Sequence, residues 1–526
     1  MADDELAEKV RHDRAELERR RALLADSARP EVTERRHATG RRTGRENLED
    51  LVDEGSLVEY GGFAIAAQRG RRDLEELQRR TPADGLVGGL ARVNTELVGE
   101  DRARCAVLSY DYTVLAGTQG TMGHKKKDRL FDVIRRLRLP AIFFTEGGGG
   151  RPGDTDHAIV AGLDTMAFAL WARLSGVAPR IGIASGRCFA GNAVLLGMCD
   201  VIIATPEASI GMGGPAMIEG GGLGVVEADA VGPTEVHARS GAVDLEATDD
   251  ADAVRLARVA LSYFQGPIAP GGVPAQDLLR DVVPENRRRA YDVRRVVEIL
   301  ADEGSVLELR PRFARGMVTA LARVEGRPLG IVANNPMHLA GAITADGGDK
   351  AARFLQLCEA FRLPVLFLCD TPGIMVGPEA EATALVRHVS RLFLAGGALT
   401  VPNMTVVLRK GYGLGAQAMA GGSFHANLMT VAWPSGEFGA MGLEGAVKLA
   451  MRKELEAIED QAARTEAFDG IVAMAYEMGK ALNMASYFEI DDVIDPAQTR
   501  DLVRRVLLQG TDLAPGTAPR PYVDSW

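Results

Sequence analysis

Four short glycine turns are the part of this chain best suited to chemistry. Glu146-Gly-Gly-Gly-Gly-Arg151 and Gly186-Arg-Cys-Phe-Ala-Gly-Asn-Ala193 lie in the first half; Asp370-Thr-Pro-Gly-Ile374 and Gly411-Tyr-Gly-Leu-Gly-Ala416 lie in the second. Each follows an apolar, strand-like run and precedes a helix-like one. Glycine admits positive φ and lets other groups approach its peptide plane closely, so such turns can aim main-chain N–H groups at one point. Two converging N–H groups form an oxyanion hole, which stabilises an enolate or a tetrahedral oxygen by preorganised dipoles. A single turn of this kind reads more simply as a helix start. Four at matched positions point to backbone catalysis.

Other motifs fit less well. GYGLGA (411–416) satisfies the loose GxGxxA pattern of dinucleotide sites, but that pattern belongs in an opening βαβ unit and here lies late in the chain. GGGGRPGD lacks the GK[ST] of a phosphate loop, and no GxSxG serine elbow occurs. The eight histidines show no HxxxH or HExxH spacing, so no metal is expected in this chain. No side chain stands out as a base, except that Glu207 in TPEASIGMGG (205–214) suits a general acid or base, with a turn carboxylate as its plainer reading.

The elements that must position these turns appear when the chain is compared with itself. LEDLVDEGSLVEY (48–60) recurs as VEILADEGSVLEL (297–309), with Asp53 on Asp302. LRLPAIFFTEGG (137–148) matches FRLPVLFLCDTPG (361–373), placing Arg138 on Arg362 and Glu146 on Asp370. VAPRIGIASGRCFAGNA (177–193) matches TVPNMTVVLRKGYGLGA (400–416), and DVIIATPEASIGMGG (200–214) faces MTVAWPSGEFGAMG (429–442). Preserved order over a period of about 230 residues indicates duplicated domains. Each copy alternates strands with amphipathic helices, including HAIVAGLDTMAFALWARLSG (157–176), so the fold class is α/β. The expected divisions are a helical, basic segment over 1–45, a first domain over 46–270, a Pro- and Gly-rich linker over 271–288 and a second domain over 289–526.

Composition sets the surroundings. At 526 residues, 46% hydrophobic and 25% charged, the chain has globular proportions and is long enough for two domains. Its formal net charge of -11 argues against nucleic-acid binding. No apolar run reaches the roughly 18–20 residues of a membrane span and the first residues carry no signal pattern, so no membrane partner and a cytoplasmic location are expected. The five cysteines form no CxxC and read as buried thiols. Basic residues gather in EVTERRHATGRRTGREN (31–47), where Arg42 and Arg45 are candidates for substrate phosphates.

The segments RPLGIVANNPMHLAG (327–341), DKAARFLQLCEAFRLPVLFLCDTPGI (349–374), TVPNMTVVLRKGYG (400–413) and AWPSGEFGAMGLEGAV (432–447) resemble the carboxyltransferase (beta) subunits of biotin-dependent acyl-CoA carboxylases, the propionyl-, acetyl- and methylcrotonyl-CoA type. The likeness runs from Gly44 to Ile494. It implies two tandem crotonase-like domains and transfer of a carboxyl group from carboxybiotin to the α-carbon of an acyl-CoA. By similarity Gly148 and Gly149, with the Gly191–Asn192 turn, receive the thioester oxygen. Leu414 and Gly415, with Gly373 nearby, receive the biotin ureido oxygen. Gln417 occupies a position that selects the acyl chain. The resemblance also implies a homo-oligomer, usually a hexamer with active sites between subunits, and partners supplying biotin carboxylase and the biotin carboxyl carrier, since no AMKM biotinylation motif occurs here. The chain departs from the family in EGGGGR for DSGGAR and in Leu414 where glycine is usual. A biotin-dependent decarboxylase subunit, a biotin-independent coenzyme A enzyme using Glu207 and a non-catalytic scaffold stay open as alternatives.

Overall fold

The runs CAVLSY, AIFF, RIGIA and VIIA are apolar at nearly every position, the pattern of strands covered on both faces. The computed structural model describes residues 12–151, 153, 154, 156, 163–508 and 523–526 and places these runs at the centre of a sheet. The chain divides into two compact units, the first ending at Gln265 and the second starting at Gly266, apart from the penultimate Ser525, which groups with the first.

The strands of the first unit are β1 (Val58–Glu59), β2 (Leu86–Arg92), β3 (Arg104–Tyr110), β4 (Ala141–Phe144), β5 (Arg180–Ala184), β6 (Arg187–Phe189), β7 (Val201–Ala204), β8 (Ser209–Gly211) and β9 (Leu245–Glu246). Seven form one sheet in the order β1-β2-β3-β4-β5-β7-β9, antiparallel as far as β3 and parallel beyond, while β6 and β8 pair separately in parallel. Parallel neighbours require crossover connections. Helix Thr121–Leu137 supplies the first of these and packs Leu130, Phe131 and Ile134 against the sheet. Phe131, Phe143 and Trp171 form a ring cluster in this core, and the Trp171 indole N–H donates to Leu195 O at 2.9 Å.

The second unit repeats the plan. Its strands are β10 (Leu307–Leu309), β11 (Met317–Val324), β12 (Arg327–Asn334), β13 (Val365–Thr371), β14 (Asn403–Tyr412), β15 (Thr430–Ala432), β16 (Glu437–Gly439) and β17 (Asp492–Val493). The sheet order is β10-β11-β12-β13-β14-β15-β17, with β16 paired to the end of β14. One difference matters below. What is a single ten-residue strand in the second unit is split in the first, where Ser185 and Gly186 separate β5 from β6.

Backbone detail confirms the internal match. Arg138 and Arg362 both end their helices at positive φ, 51° and 62°. Leu115-Ala116-Gly117 and Leu339-Ala340-Gly341 form left-handed turns of the same kind. Asp53 accepts from Thr95 N, and Asp302 accepts from Glu325 N and Gly326 N.

The stretch 271–288, expected to link the domains, packs within the second unit. Leu279 is fully buried in its core, Gln276 Nε2 donates to Ile299 O, and Arg280 pairs with Asp495. The N-terminal segment is helical over His12–Ala22, Pro30–His37 and Gly44–Leu51, the last opened by a Thr43/Glu46 capping box. Residues 1–11, Pro152 and the start of the helix expected over 157–176 lie outside the described residues; within that stretch a helix occupies Ala167–Ala172.

Candidate functional site: paired glycine turns

In the first unit Gln119 N donates to Gly149 O at 2.7 Å, and Arg151 N donates to Gln119 O at 3.0 Å. In the second, 224 residues on, Ile343 N donates to Gly373 O and Met375 N to Ile343 O, both at 3.0 Å. The same backbone exchange therefore sets each loop that follows the β4-type strand.

The turns after β6 and β14 also match. Ala190 has φ 50° and ψ −120°, and Gly413, 223 residues later, has φ 55°. After them come Gly191 and Asn192 in one unit, Leu414 and Gly415 in the other. All four lie in the first turn of a helix, Gly191–Gly197 or Gly413–Ala418. First-turn amides have no intrahelical acceptor. They are the donors available to an external oxygen. Leu414 has the same backbone amide a glycine would have. Its φ is not positive, so leucine fits this position without strain, and the residue is 62% exposed.

Each turn touches its partner loop. A Cβ on Gly149 would lie 2.8 Å from the Ala190 Cβ, and one on Gly415 would lie 2.6 Å from Gly373 Cα. Gly148 N and Gly149 N, however, are satisfied internally, donating to Ala116 O and Asn192 Oδ1, both at 3.2 Å. Asn192 is fully buried, and its Nδ2 donates to Thr145 O at 3.1 Å. Its side chain is thus a brace between loops. Arg151 is a second brace: its guanidinium binds Asp84 and, through Nη2, Thr118 O at 2.8 Å.

Behind each loop lies a buried carboxylate. Asp370 meets Arg409 and Lys410, both from β14, at 3.2 and 3.3 Å. Glu146 meets Arg36 and Arg41, both from the N-terminal segment. The reason is Gly186, which stands where the second unit has Arg409. A Cβ at Gly186 would lie 2.1 Å from Glu146 Oε1 and 2.7 Å from Arg41 Nη1. The strand leaves a gap, and a distant arginine fills it.

Arg42 and Arg45 are committed elsewhere. Arg42 pairs with Asp50 at 2.6 Å. Arg45 pairs with Glu59 through both nitrogens, and 249 residues later Arg294 holds Glu308 in the same way. A pair present in both copies at one register is a scaffold contact. The arginines that do line an open cleft, of about 440 Å³, are Arg35, Arg36, Arg41 and Arg187, with Thr39 and Tyr112. Gln417 is exposed and lines a cavity of about 730 Å³ with Gly413, Phe424, His425, Phe438 and Met478. Glu207 is exposed; Arg41 reaches its backbone carbonyl at 3.4 Å, and among the described residues no hydrogen bond ties its carboxylate to a glycine turn.

Sequence reasoning missed Ala190, Lys127 and the Arg36–Glu146 pair. Ala190 was accessible by aligning it with Gly413; the other two depend on contacts between segments far apart in the chain. All five cysteines are buried free thiols, and burial raises their pKa values, Cys188 to about 12. Among the described residues no group of three or more His, Cys, Asp or Glu could hold a metal, and no helix is long and apolar enough to cross a membrane.

Sheet order, register and matched turns define a duplicated crotonase-like α/β protein. The chain belongs to the carboxyl transferase domain family, whose model matches residues 35–508, and is an enzyme of the carboxyltransferase class. It is 34% identical over 491 residues to the methylmalonyl-CoA carboxyltransferase 12S subunit of Propionibacterium freudenreichii subsp. shermanii, covering 90% of this chain and 89% of that one. A solved transcarboxylase 12S hexamer with methylmalonyl-coenzyme A bound superposes with TM-score 0.81 at 32% identity, covering 94% of each chain. A single-chain, multi-domain long-chain acyl-CoA carboxylase superposes with TM-score 0.90 at 57% identity, covering 95% of this chain and 49% of that one. This chain therefore spans about half the length of that carboxylase.

Proposed function

We propose that the chain transfers a carboxyl group from carboxybiotin, presented on a separate carrier protein, to the α-carbon of an acyl-CoA. The observation that carries the reading is the pair of amide-bearing turns at Gly191–Asn192 and Leu414–Gly415, repeated at one register. Gly191 N and Asn192 N hold the thioester oxygen and stabilise the charge that gathers there when the α-proton leaves. Gly148 and Gly149 form the wall of this hole. Leu414 N and Gly415 N, with Gly373 beside them, hold the ureido oxygen. Carboxybiotin, when bound, supplies both CO2 and the nitrogen that takes the α-proton. Glycine at 413 and 415 lets the two loops close on each other, since a Cβ there would lie 2.6 Å from Ala440 O or from Gly373 Cα.

Coenzyme A phosphates fit the cleft of Arg35, Arg41 and Arg187 better than Arg42 or Arg45, because the first three line one open cavity, even though Arg41 and Arg187 also meet Glu146 and Asp229 at 3.5 and 3.4 Å. Gln417 presents a polar amide toward its cavity, which suits a functionalised acyl chain. Biotin carboxylase and carrier functions come from partners, and the chain assembles as a hexamer, as the transcarboxylase 12S protein does.

The test is to incubate the purified chain with methylmalonyl-CoA or malonyl-CoA, with and without free biotin, and follow loss of the carboxylated thioester. Loss that requires biotin is the expected result. Turnover without biotin that Glu207→Gln abolishes overturns the reading in favour of a crotonase-type coenzyme A enzyme. No turnover of any thioester by the assembled chain leaves a scaffold.

A further inference from the structure

Lys127 has none of its surface exposed. Its Nζ donates to Gln119 Oε1 at 2.6 Å and lies 5.5 and 5.9 Å from the ring centroids of Tyr110 and Phe168. Among the described residues no carboxylate pairs with it. Asp84 and Asp128 act on it from further away, and His124 and Arg151 are the other charged or titratable groups on that side. Burial lowers its pKa to about 7, and His124, lowered to about 3 by burial and by Lys127 and Arg151, stays neutral beside it.

What this ammonium touches leads to the first glycine turn. In its protonated form the amine only donates, so Gln119 then turns Oε1 toward it and Nε2 away. Gln119 Nε2 then donates to Asn192 Oδ1 at 3.0 Å, the atom that also accepts from Gly149 N. That leaves Asn192 Nδ2 facing Thr145 O and Gly117 O, both acceptors. The chain of bonds is directional and consistent at both ends. Gln119 also abuts the turn itself, since a Cβ on Gly191 would lie 3.0 Å from Gln119 Nε2. In the second unit the corresponding positions, 224 residues on, are Ile343 and Ala351. There the backbone exchange persists without any side-chain relay.

A buried, unpaired lysine is costly to the fold. The second unit builds the same turn without one. We propose that Lys127 is a positioning residue for the first oxyanion hole: through Gln119 and Asn192 it fixes the Gly149 loop against the Gly191 turn. The inference rests on the thioester reading of that turn.

The experiment uses the full chain with methylmalonyl-CoA and free biotin, comparing wild type, Lys127→Met, Gln119→Leu and the double variant. Expected for Lys127→Met is unchanged assembly and a higher melting temperature at pH 7. Its kcat should be about 10- to 100-fold lower, less than the loss of a direct oxyanion donor, with KM within about twofold of wild type. The double variant should be no worse than the worse single one, because both cut one chain of bonds. Wild-type kcat in Lys127→Met overturns the proposal, as does a fall in kcat that tracks a fall in melting temperature. Amide exchange at 147–150 and 191–193 separates the two levels of the argument. Faster exchange in Lys127→Met, with a wild type that consumes no thioester, overturns the thioester reading and the proposal with it. Unchanged exchange in an active enzyme overturns the positioning role alone.

Discussion

Gly413 and Ala190 share a positive φ, 55° and 50°, yet only one of them has room for a methyl group. At Gly413 a Cβ would lie 2.6 Å from the Ala440 carbonyl oxygen, and a backbone carbonyl cannot rotate aside as a side chain can. Gly413→Ala should therefore lower biotin-dependent turnover by about 10²-fold, the scale of a lost oxyanion donor, whereas Leu414→Gly should retain most of it. Steady-state loss of methylmalonyl-CoA measures both. The arginines divide in a similar way. Arg45→Met removes a paired, partly buried guanidinium and should cost about 1–2 kcal/mol in urea unfolding with little change in KM; Arg41→Met or Arg187→Met should raise the KM for acyl-CoA, with an effect that shrinks in high salt. Lys127 carries a pH signature. Burial holds its folded pKa at about 7, below the ordinary lysine value of 10.5, so the folded state is penalised below pH 7 and the penalty fades as pH rises toward 10.5. The melting-temperature advantage of Lys127→Met should accordingly be largest at and below neutral pH and shrink on the alkaline side. The glycines were legible as matched turns because each stands between an apolar run and a helix-like one in both halves. Lys127 was not, since the sequence presents it as one basic residue in HKKKDR, and only the fold reveals that it points inward.

Strands and helices were the most legible level. Apolar runs announced the parallel core, and the repeated FRLP-type entries announced where strands begin. The break between β5 and β6 was not visible, because SGR reads as an ordinary loop and its unbroken counterpart, LRK in β14, reads as strand. Only the contact of Gly186 with Glu146 and Arg41 explains the interruption. The strand junctions also hold ion pairs that the sequence does not reveal. Arg180, at the start of β5, is 1% exposed and binds Asp200, just before β7, through Nε and Nη2 at 3.3 and 3.0 Å. Removing one member of such a pair strands the other as a buried charge. Asp200→Ala should lower stability by about 3–5 kcal/mol, read from the urea midpoint at constant slope.

The molecule holds two copies of one plan, and the repeat is written in its sequence. The division falls at Gly266, and the Pro- and Gly-rich stretch after it is held in the second unit by Leu279, Gln276 and Arg280. Its composition suggested a tether because proline and glycine also suit irregular chain that packs. Sedimentation should give a mass near six chains, and a monomer would remove the hexamer from the proposal. The copies differ most in how each buried carboxylate finds its counter-charge. Asp370 and Arg409 are 39 residues apart, Glu146 and Arg36 are 110 apart. The entropy of closing a loop grows with the logarithm of its length, so the longer closure costs about 0.9 kcal/mol more. During refolding the β13–β14 corner can therefore neutralise itself locally, while the β4 corner must wait for the start of the chain to return. Pulse-labelled refolding should find Thr371 and Gly373 amides protected before those of Gly147 and Gly149.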